Sequence, residues 1–114
     1  MATTPEGRVK AKIKAYLKTL DNCWQFSPAA NGMGVSGIPD IIICYKGKFV
    51  AFEVKAPGKR NNTTPNQDRQ LSMINSAAGT AVVVDDVSQV QAVIRLLDMG
   101  FEKVEVNAEQ EISR

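Results

Sequence analysis

The stretch that decides the fold is GIPDIIICYKGKFVAFEVK, residues 37–55, in which two apolar runs flank the pair Lys46-Gly47. Apolar, strand-forming runs on either side of a two-residue turn predict an antiparallel hairpin, because glycine readily takes the positive φ that such turns require. We predict strands at about 40–45 and 48–56. Both alternating sets of residues are apolar, so we expect both faces of the hairpin to be covered and the hairpin to lie centrally in a sheet flanked by helices.

Three charged residues, Asp40, Glu53 and Lys55, interrupt this apolar stretch. If Tyr45 pairs with Lys48 across the turn, Asp40 faces Glu53 directly, with Cβ atoms roughly 4.5–5.5 Å apart. Strand alternation then places Lys55 on the same face. A three-residue loop would instead move the register by one residue and separate the two carboxylates.

Opposed carboxylates in a half-buried sheet repel each other and lose hydration, which a shared proton or cation relieves. Mg²⁺ and Mn²⁺ prefer carboxylate, carbonyl and water oxygens, so the pattern favours a metal site. Lys55 beside it could orient a water molecule or stabilise charge on a phosphate. In the alternative interpretation, Asp40 is a turn residue at the start of a strand, and Glu53 and Lys55 form an exposed ion pair on an edge strand.

Length and composition limit the remaining possibilities. A chain of 114 residues with 44% hydrophobic content predicts a single domain over 1–114, with a core over about 5–100 and a frayed polar tail at 107–114. The chain has no histidine and only two cysteines, which excludes zinc sites of the Cys/His type and histidine-based catalysis. No apolar run approaches the roughly 20 residues of a membrane span, and no secretory signal is recognisable. We therefore expect an intracellular protein with no membrane partner.

Charge is distributed unevenly along the chain. Residues 1–60 hold ten basic and four acidic side chains, whereas residues 61–114 hold four basic and eight acidic ones. A basic half favours a polyanionic partner, nucleic acid first, although a solvated helix face explains such charge equally well. The candidate phosphate contacts are Lys10, Lys12, Lys14, Lys59 and Arg60.

Outside the hairpin, the expected elements are a helix at 5–20, a strand at 23–27, an irregular loop at 28–39, a helix at 65–78, a strand at 80–86, a helix from Ser88 and an optional strand at 101–106. Thr3 with Glu6, and Thr64 with Gln67, have the spacing of capping boxes that start the first and second helices. Gly79 and Gly100 are expected to end the second and third. The order α-β-β-β-α-β-α predicts an α/β fold with a mixed sheet.

The spacing of the charged residues also resembles a known signature. Pro39-Asp40, followed after twelve residues by Glu53-Val54-Lys55, resembles the PD-(D/E)xK signature of restriction-endonuclease-like nucleases. More narrowly, GVSGIPDIII, GKFVAFEVKAPG and TPNQDRQLSMINSAAGTAVVV are similar, in this order, to the VRR-NUC family and its small stand-alone members found in phages. The resemblance covers about residues 6–85. It implies a restriction-endonuclease-like mixed sheet and a Mg²⁺- or Mn²⁺-dependent DNA endonuclease.

The resemblance also implies roles for particular residues. Asp40, Glu53 and the backbone carbonyl of Val54 would bind the metal ion, and Lys55 would be the catalytic lysine. Members of the family carry a further glutamate on the first helix and a glutamine on the helix after the hairpin. The candidates for these two positions are Glu6 and Gln67, each of which also fits the capping position of its helix.

Small stand-alone members of this family resemble dimeric resolvases of four-way (Holliday) junctions, which implies branched DNA as the partner, a homodimer, and a phage-encoded protein acting in the bacterial cytoplasm. Two alternatives stay open. One is a non-catalytic nucleic-acid-binding module of the same fold, and the other is a small partner-binding protein in which the charged residues form a structural ion-pair site.

Overall fold

The computed structural model describes residues 3–29 and 34–105. Its elements are α1 (Pro5–Lys18), β1 (Cys23–Phe26), β2 (Ile41–Tyr45), β3 (Lys48–Val54), α2 (Pro65–Ser76), β4 (Thr80–Val84) and α3 (Val87–Asp98). The order α-β-β-β-α-β-α is the predicted one.

The central hairpin forms with the predicted register. Lys46 and Gly47 both have positive φ, +50° and +85°, which suits a tight turn between antiparallel strands. Tyr45 pairs with Lys48, and Ile41 pairs with Phe52. The two-residue turn is therefore confirmed, and the slipped register is excluded.

The hairpin lies in the middle of a four-stranded sheet of order β1-β2-β3-β4. The first three strands are mutually antiparallel, whereas β4 pairs with β3 in parallel. Parallel neighbours need a crossover, and α2 supplies it between β3 and β4. The predicted mixed sheet is confirmed.

One face of the sheet carries the main core, which packs against α1 and α3. Its fully buried members include Ile13, Leu17, Ile43, Phe52, Val82, Val90 and Val93. Val104, also fully buried, extends this core beyond the predicted limit at residue 100. Its N–H donates to Thr80 Oγ1 over 3.0 Å.

The other face is covered only in part. There α2 packs Leu71 onto Ala51 and Ala81, so it covers β3 and β4. Cys44 on β2 is exposed, and Phe49 at the turn end of β3 is 47% exposed. Our expectation that both faces of the hairpin are covered is wrong for this part of the sheet. A single helix about 10 Å wide spans two strands spaced about 4.8 Å apart, which leaves β1 and β2 open.

Helix starts differ from the sequence prediction in two places. The N-cap of α1 is Thr4, whose side chain accepts from the Gly7 N–H at 2.9 Å, so the predicted box of Thr3 and Glu6 does not form. The third helix begins at Val87 rather than Ser88, because Asp86 caps it. Both errors are shifts of one residue among neighbouring residues that can cap.

The ends of the elements show further differences. After α2 the residue with positive φ is Ala78, at +71°, rather than Gly79, whereas Gly100 follows α3 at +103° as predicted. Residues 101–105 form only an isolated bridge at Glu105 instead of a strand, since the Val104 N–H is used by the Thr80 side chain. Residue 106 and the predicted frayed tail at 107–114 lie outside the described residues.

Candidate active site

The site begins where the hairpin strands part. Asp40 directly precedes β2, and its Oδ2 accepts from the Val54 N–H at 2.8 Å. In this register, Pro39 stands opposite Val54. Proline has no N–H and cannot donate a hydrogen bond to the Val54 carbonyl oxygen. The hydrogen-bond ladder between β2 and β3 therefore ends at Pro39-Asp40, where the Val54 carbonyl oxygen can bind another group.

Glu53 lies near the end of the inner strand β3 and is buried, with 3% exposure. Its Oε2 accepts from Gln67 Nε2 at 3.0 Å and lies 3.6 Å from Lys55 Nζ. Its Oε1 is buried and has no hydrogen-bond partner among the described residues. The alternative of an exposed ion pair on an edge strand is therefore wrong, because β3 has neighbours on both sides.

The electrostatics of Glu53 follow from this burial. Burial first, and then the neighbouring Asp40 carboxylate, raise the pKa of Glu53 to about 8. A buried carboxylate with an unpaired oxygen beside a second carboxylate is a donor set that suits a hard divalent cation such as Mg²⁺ or Mn²⁺. Within residues 3–29 and 34–105, no three acidic, cysteine or histidine side chains cluster as a metal-binding group. Among the described residues, further ligands would therefore be oxygens of another kind, such as a backbone carbonyl, a side-chain amide or water.

Gln67 connects the catalytic candidates to the start of α2. Its Oε1 accepts from both Lys55 Nζ and the Thr64 N–H at 3.0 Å, while its Nε2 donates to Glu53. The Thr64 hydroxyl accepts from the Gln67 N–H at 3.2 Å, which completes the predicted capping box. The sequence presented capping and function as alternatives for Gln67, but one side-chain amide makes both sets of contacts.

Glu6 and Lys10 approach the site from α1. Lys10 Nζ lies 3.3 Å from Asp40 Oδ1 and 3.8 Å from Glu6 Oε2. The ammonium group of Lys10 is thus paired with Asp40, and its predicted contact with phosphate stays a prediction. Glu6 is linked to Asp40 through Lys10. Glu6 and Lys10 pair through their i, i+4 spacing on α1, whereas the contact of Lys10 with Asp40 depends on how α1 packs.

The other predicted phosphate contacts lie in different settings. Lys12 and Lys59 are exposed, and Lys14 is half-buried. Arg60 Nε lies 3.8 Å from Asp85 Oδ1, and Asp85 also accepts from the Gly58 N–H at 2.8 Å. Arg60 therefore helps to hold the loop after β3, and its contact with DNA stays a prediction.

The segment before Asp40 rests on the start of α2. Gly37 has φ +85°, and a Cβ there would lie 2.4 Å from the Asn66 carbonyl oxygen. Asn66 Nδ2 donates to Ser36 Oγ at 3.0 Å. Together with Asp40 and Gln67, this segment lines a cavity of about 450 Å³. The roles of Ser36 and Asn66 were not readable from the sequence, since their contact joins parts of the chain that lie 30 residues apart.

Three helices on a four-stranded mixed sheet, with Asp40, Glu53 and Lys55 at the open end of the hairpin, define an α/β domain of the restriction-endonuclease-like type. A solved structure described as a VRR_NUC domain aligns with this chain at a TM-score of 0.63 and 28% identity, over 82% of this chain and 97% of that one. The chain is accordingly a VRR-NUC-like domain of nuclease type. No protein-family model and no curated protein matches the sequence.

Among the described residues, no helix is both long and apolar enough to cross a bilayer.

Proposed function

We propose that this protein is a Mg²⁺- or Mn²⁺-dependent endonuclease that hydrolyses phosphodiester bonds in DNA. The observation that carries the proposal is the buried, partly unpaired Glu53 carboxylate at the end of the hairpin, flanked by Asp40, Lys55 and Gln67. Burying such a group costs free energy, which a bound cation would offset.

The residues that would hold the cation are Asp40, Glu53 and, through its backbone carbonyl, Val54. When bound, a divalent cation polarises a phosphate oxygen and lowers the pKa of a water molecule. Asp40 is already fixed for this role, since the Val54 N–H orients its carboxylate. Isothermal titration with Mn²⁺ tests the assignment, and we expect Asp40→Ala to abolish the binding.

Lys55 is the group placed to offset negative charge on the substrate. Its side chain is only 12% exposed, and the Gln67 amide oxygen holds the ammonium group at 3.0 Å. A positive charge fixed in a poorly hydrated place stabilises charge that builds up on a phosphate without first having to be reoriented. Gln67 is therefore a positioning residue, which acts through Lys55 and Glu53.

The direct test is Mg²⁺-dependent cleavage of labelled four-way, flap and linear DNA. We expect Lys55→Ala to lower the cleavage rate by about a hundredfold or more. Lys18→Ala, which removes an exposed lysine in the last turn of α1, is the matched control and should stay within about threefold of wild type. If the wild-type protein binds these DNAs but cuts none of them with Mg²⁺ or Mn²⁺, the proposed nuclease activity is excluded. The alternative of a non-catalytic nucleic-acid-binding module is then favoured.

Within this activity we propose branched DNA as the substrate and a homodimer as the active form. A domain of 114 residues has little surface with which to read sequence, so structure is the more accessible feature of the substrate. A two-fold dimer also presents two sites to two strands related by symmetry, as a four-way junction requires. The substrate panel above tests the preference directly, because a resolvase cuts the four-way DNA faster than the linear control.

A further inference from the structure

Two aromatic rings stand exposed on the first strand of the sheet. Trp24 is 60% exposed and Phe26 is 50% exposed. Their rings are nearly parallel, with centroids 6.0 Å apart and an interplanar angle of 14°. Both lie on the open face that α2 does not cover, where large aromatic side chains are costly to leave in contact with water.

This aromatic pair adjoins the candidate site. Phe26 pairs with Ile42, which is two residues from Asp40 on the adjoining strand. With strands about 4.8 Å apart and a rise of about 3.4 Å per residue, the Phe26 and Asp40 Cα atoms are roughly 8 Å apart. Strand alternation puts Trp24, Phe26, Ile42 and Asp40 on one face, the face that also carries Glu53. The rings and the carboxylates thus lie on the same face of the sheet.

We propose that Trp24 and Phe26 form a stacking platform for unpaired bases next to the phosphate that is cut. The proposal rests on the proposed nuclease function and narrows its branched-DNA substrate to junctions whose bases are unpaired at the branch point beside the cleavage site. Exposed aromatic rings bind single-stranded DNA in this way, because every base has a π-face that can stack.

The size and chemistry of the surface favour bases over a second copy of the chain. Even with Phe49 and Met73 added, the exposed apolar side chains present on the order of 400 Å², about half of the roughly 800 Å² per partner in a stable dimer. Trp24, Phe26, Ile42 and Cys44, which β1 and β2 place on this face, carry no charge. Gln70 on α2 shares a pocket with Phe49 and Met73, and its amide can bond to the edge of a base.

Trp24 is the sole tryptophan, so its fluorescence reports on the platform directly. The experiment titrates the full chain, in EDTA so that no cleavage occurs, with a short oligothymidylate and with a blunt duplex of equal length. We expect the oligothymidylate to quench Trp24 emission strongly and the duplex to have little effect. Phe26→Ala should weaken binding of the oligothymidylate by about tenfold, the scale of one lost base stack.

Variants at Trp24 are measured by the anisotropy of labelled oligothymidylate. Trp24→Ala should weaken binding about tenfold or more, whereas Trp24→Tyr, which keeps an aromatic ring, should restore most of it. The matched control is Met99→Ala, which removes an apolar side chain that is 72% exposed and lies just after α3; it should stay within about twofold of wild type.

The proposal is overturned if Trp24→Ala and Phe26→Ala bind oligothymidylate as wild type does. It is also overturned if Trp24 emission changes with protein concentration in the absence of DNA and Phe26→Ala dissociates a dimer, since a second copy then occupies the face. Binding is measured without metal, so the two proposals can fail separately. If the protein stacks bases but never cuts DNA, only the proposed nuclease function is refuted. If it cuts DNA but does not stack bases, only the stacking platform is refuted.

Discussion

At the scale of single residues, Glu53 is the position where folding and function conflict most. A carboxylate that is 3% exposed and faces Asp40 is destabilising when ionised, and the raised pKa of about 8 expresses that cost. A glutamine would keep the hydrogen bond with Gln67 and avoid the charge. A glutamate at this position is what the proposed cation binding requires.

The stability of the metal-free protein should accordingly depend on pH through Glu53. Its pKa is raised from 4.5 to about 8, so the folded state binds more protons than the unfolded state between these values. Stability is highest at the acidic end and falls as pH rises through that window, by up to about 5 kcal/mol. Glu53→Gln should remove most of this slope, so that in EDTA it is more stable than wild type at pH 8 and similar to it near pH 4.5.

Urea denaturation in EDTA across this pH range measures the effect. A wild-type protein whose free energy of unfolding rises toward pH 8, or a Glu53→Gln variant with an unchanged slope, would contradict the assignment. Adding Mn²⁺ should stabilise wild type most at the alkaline end, where the ionised carboxylate that binds the cation is populated.

At the scale of secondary-structure elements, the start of α2 organises the site. The capping box of Thr64 and Gln67 begins the helix, and the same Gln67 amide holds Lys55 and Glu53. The segment before Asp40 rests on the same turn, with Gly37 against the Asn66 carbonyl. The helix start, Lys55 and Asp40 are therefore set relative to one another by one turn of helix.

Removing either half of the capping box should separate its two roles. Thr64→Ala and Gln67→Ala should each lower the free energy of unfolding by about 1 kcal/mol, the usual loss of a cap. Only Gln67→Ala should also lower kcat, by about tenfold to a hundredfold, because Lys55 loses the acceptor that orients it. Denaturation and cleavage rates on the same preparations give both numbers. Equal losses of kcat in the two variants would show that Gln67 acts only as a cap.

Gly37→Ala should disturb the site through the backbone. An alanine there would have to adopt a positive φ, and its Cβ would collide with the Asn66 carbonyl oxygen. The segment before Asp40 must therefore move away from α2. We expect a loss of about 1–3 kcal/mol in stability and a clear loss of cleavage. Gly34→Ala is the matched control, since its Cβ would meet nothing within 4 Å, and it should behave as wild type in both assays.

Features that depend on neighbouring residues in the sequence were predictable, whereas features that depend on contacts between distant parts of the chain were not. The hairpin register followed from Lys46-Gly47 and strand alternation, which are local. The contact of Lys10 with Asp40 depends on how α1 packs, and the open face of β2 depends on the width of α2, so neither was readable from the sequence. The predicted strand at 101–106 did not form over the described residues 101–105, because the buried Thr80 side chain takes the Val104 N–H, a contact between distant parts of the chain.

At the scale of the whole molecule, folding places acidic residues from the second half of the chain beside basic residues from the first half. At the turn end of the hairpin, Lys46 pairs with Asp98 at 3.2 Å and Lys48 with Glu102 at 3.1 Å. The acidic half of the chain thus neutralises basic residues at the end of the sheet away from the site. Lys12 and Lys59 lie elsewhere and are exposed. Because Lys46 and Lys48 are already paired with acidic residues, the basic charge available to DNA is smaller than the sequence count suggests.

The homodimer proposed for cleavage makes a prediction about mixtures. If the two sites of one dimer cut the two strands of a cruciform plasmid, mixing wild type with an excess of Lys55→Ala produces mixed dimers with a single active site. Such dimers cut one strand before they dissociate, so nicked circles should accumulate at the expense of linear product as the share of Lys55→Ala rises. A monomeric enzyme diluted with inactive protein would be slowed, but its ratio of linear to nicked product would follow the amount of active enzyme alone. Matched dilutions of wild type without the variant supply that baseline, and a ratio equal to the baseline at every mixture would refute the dimer.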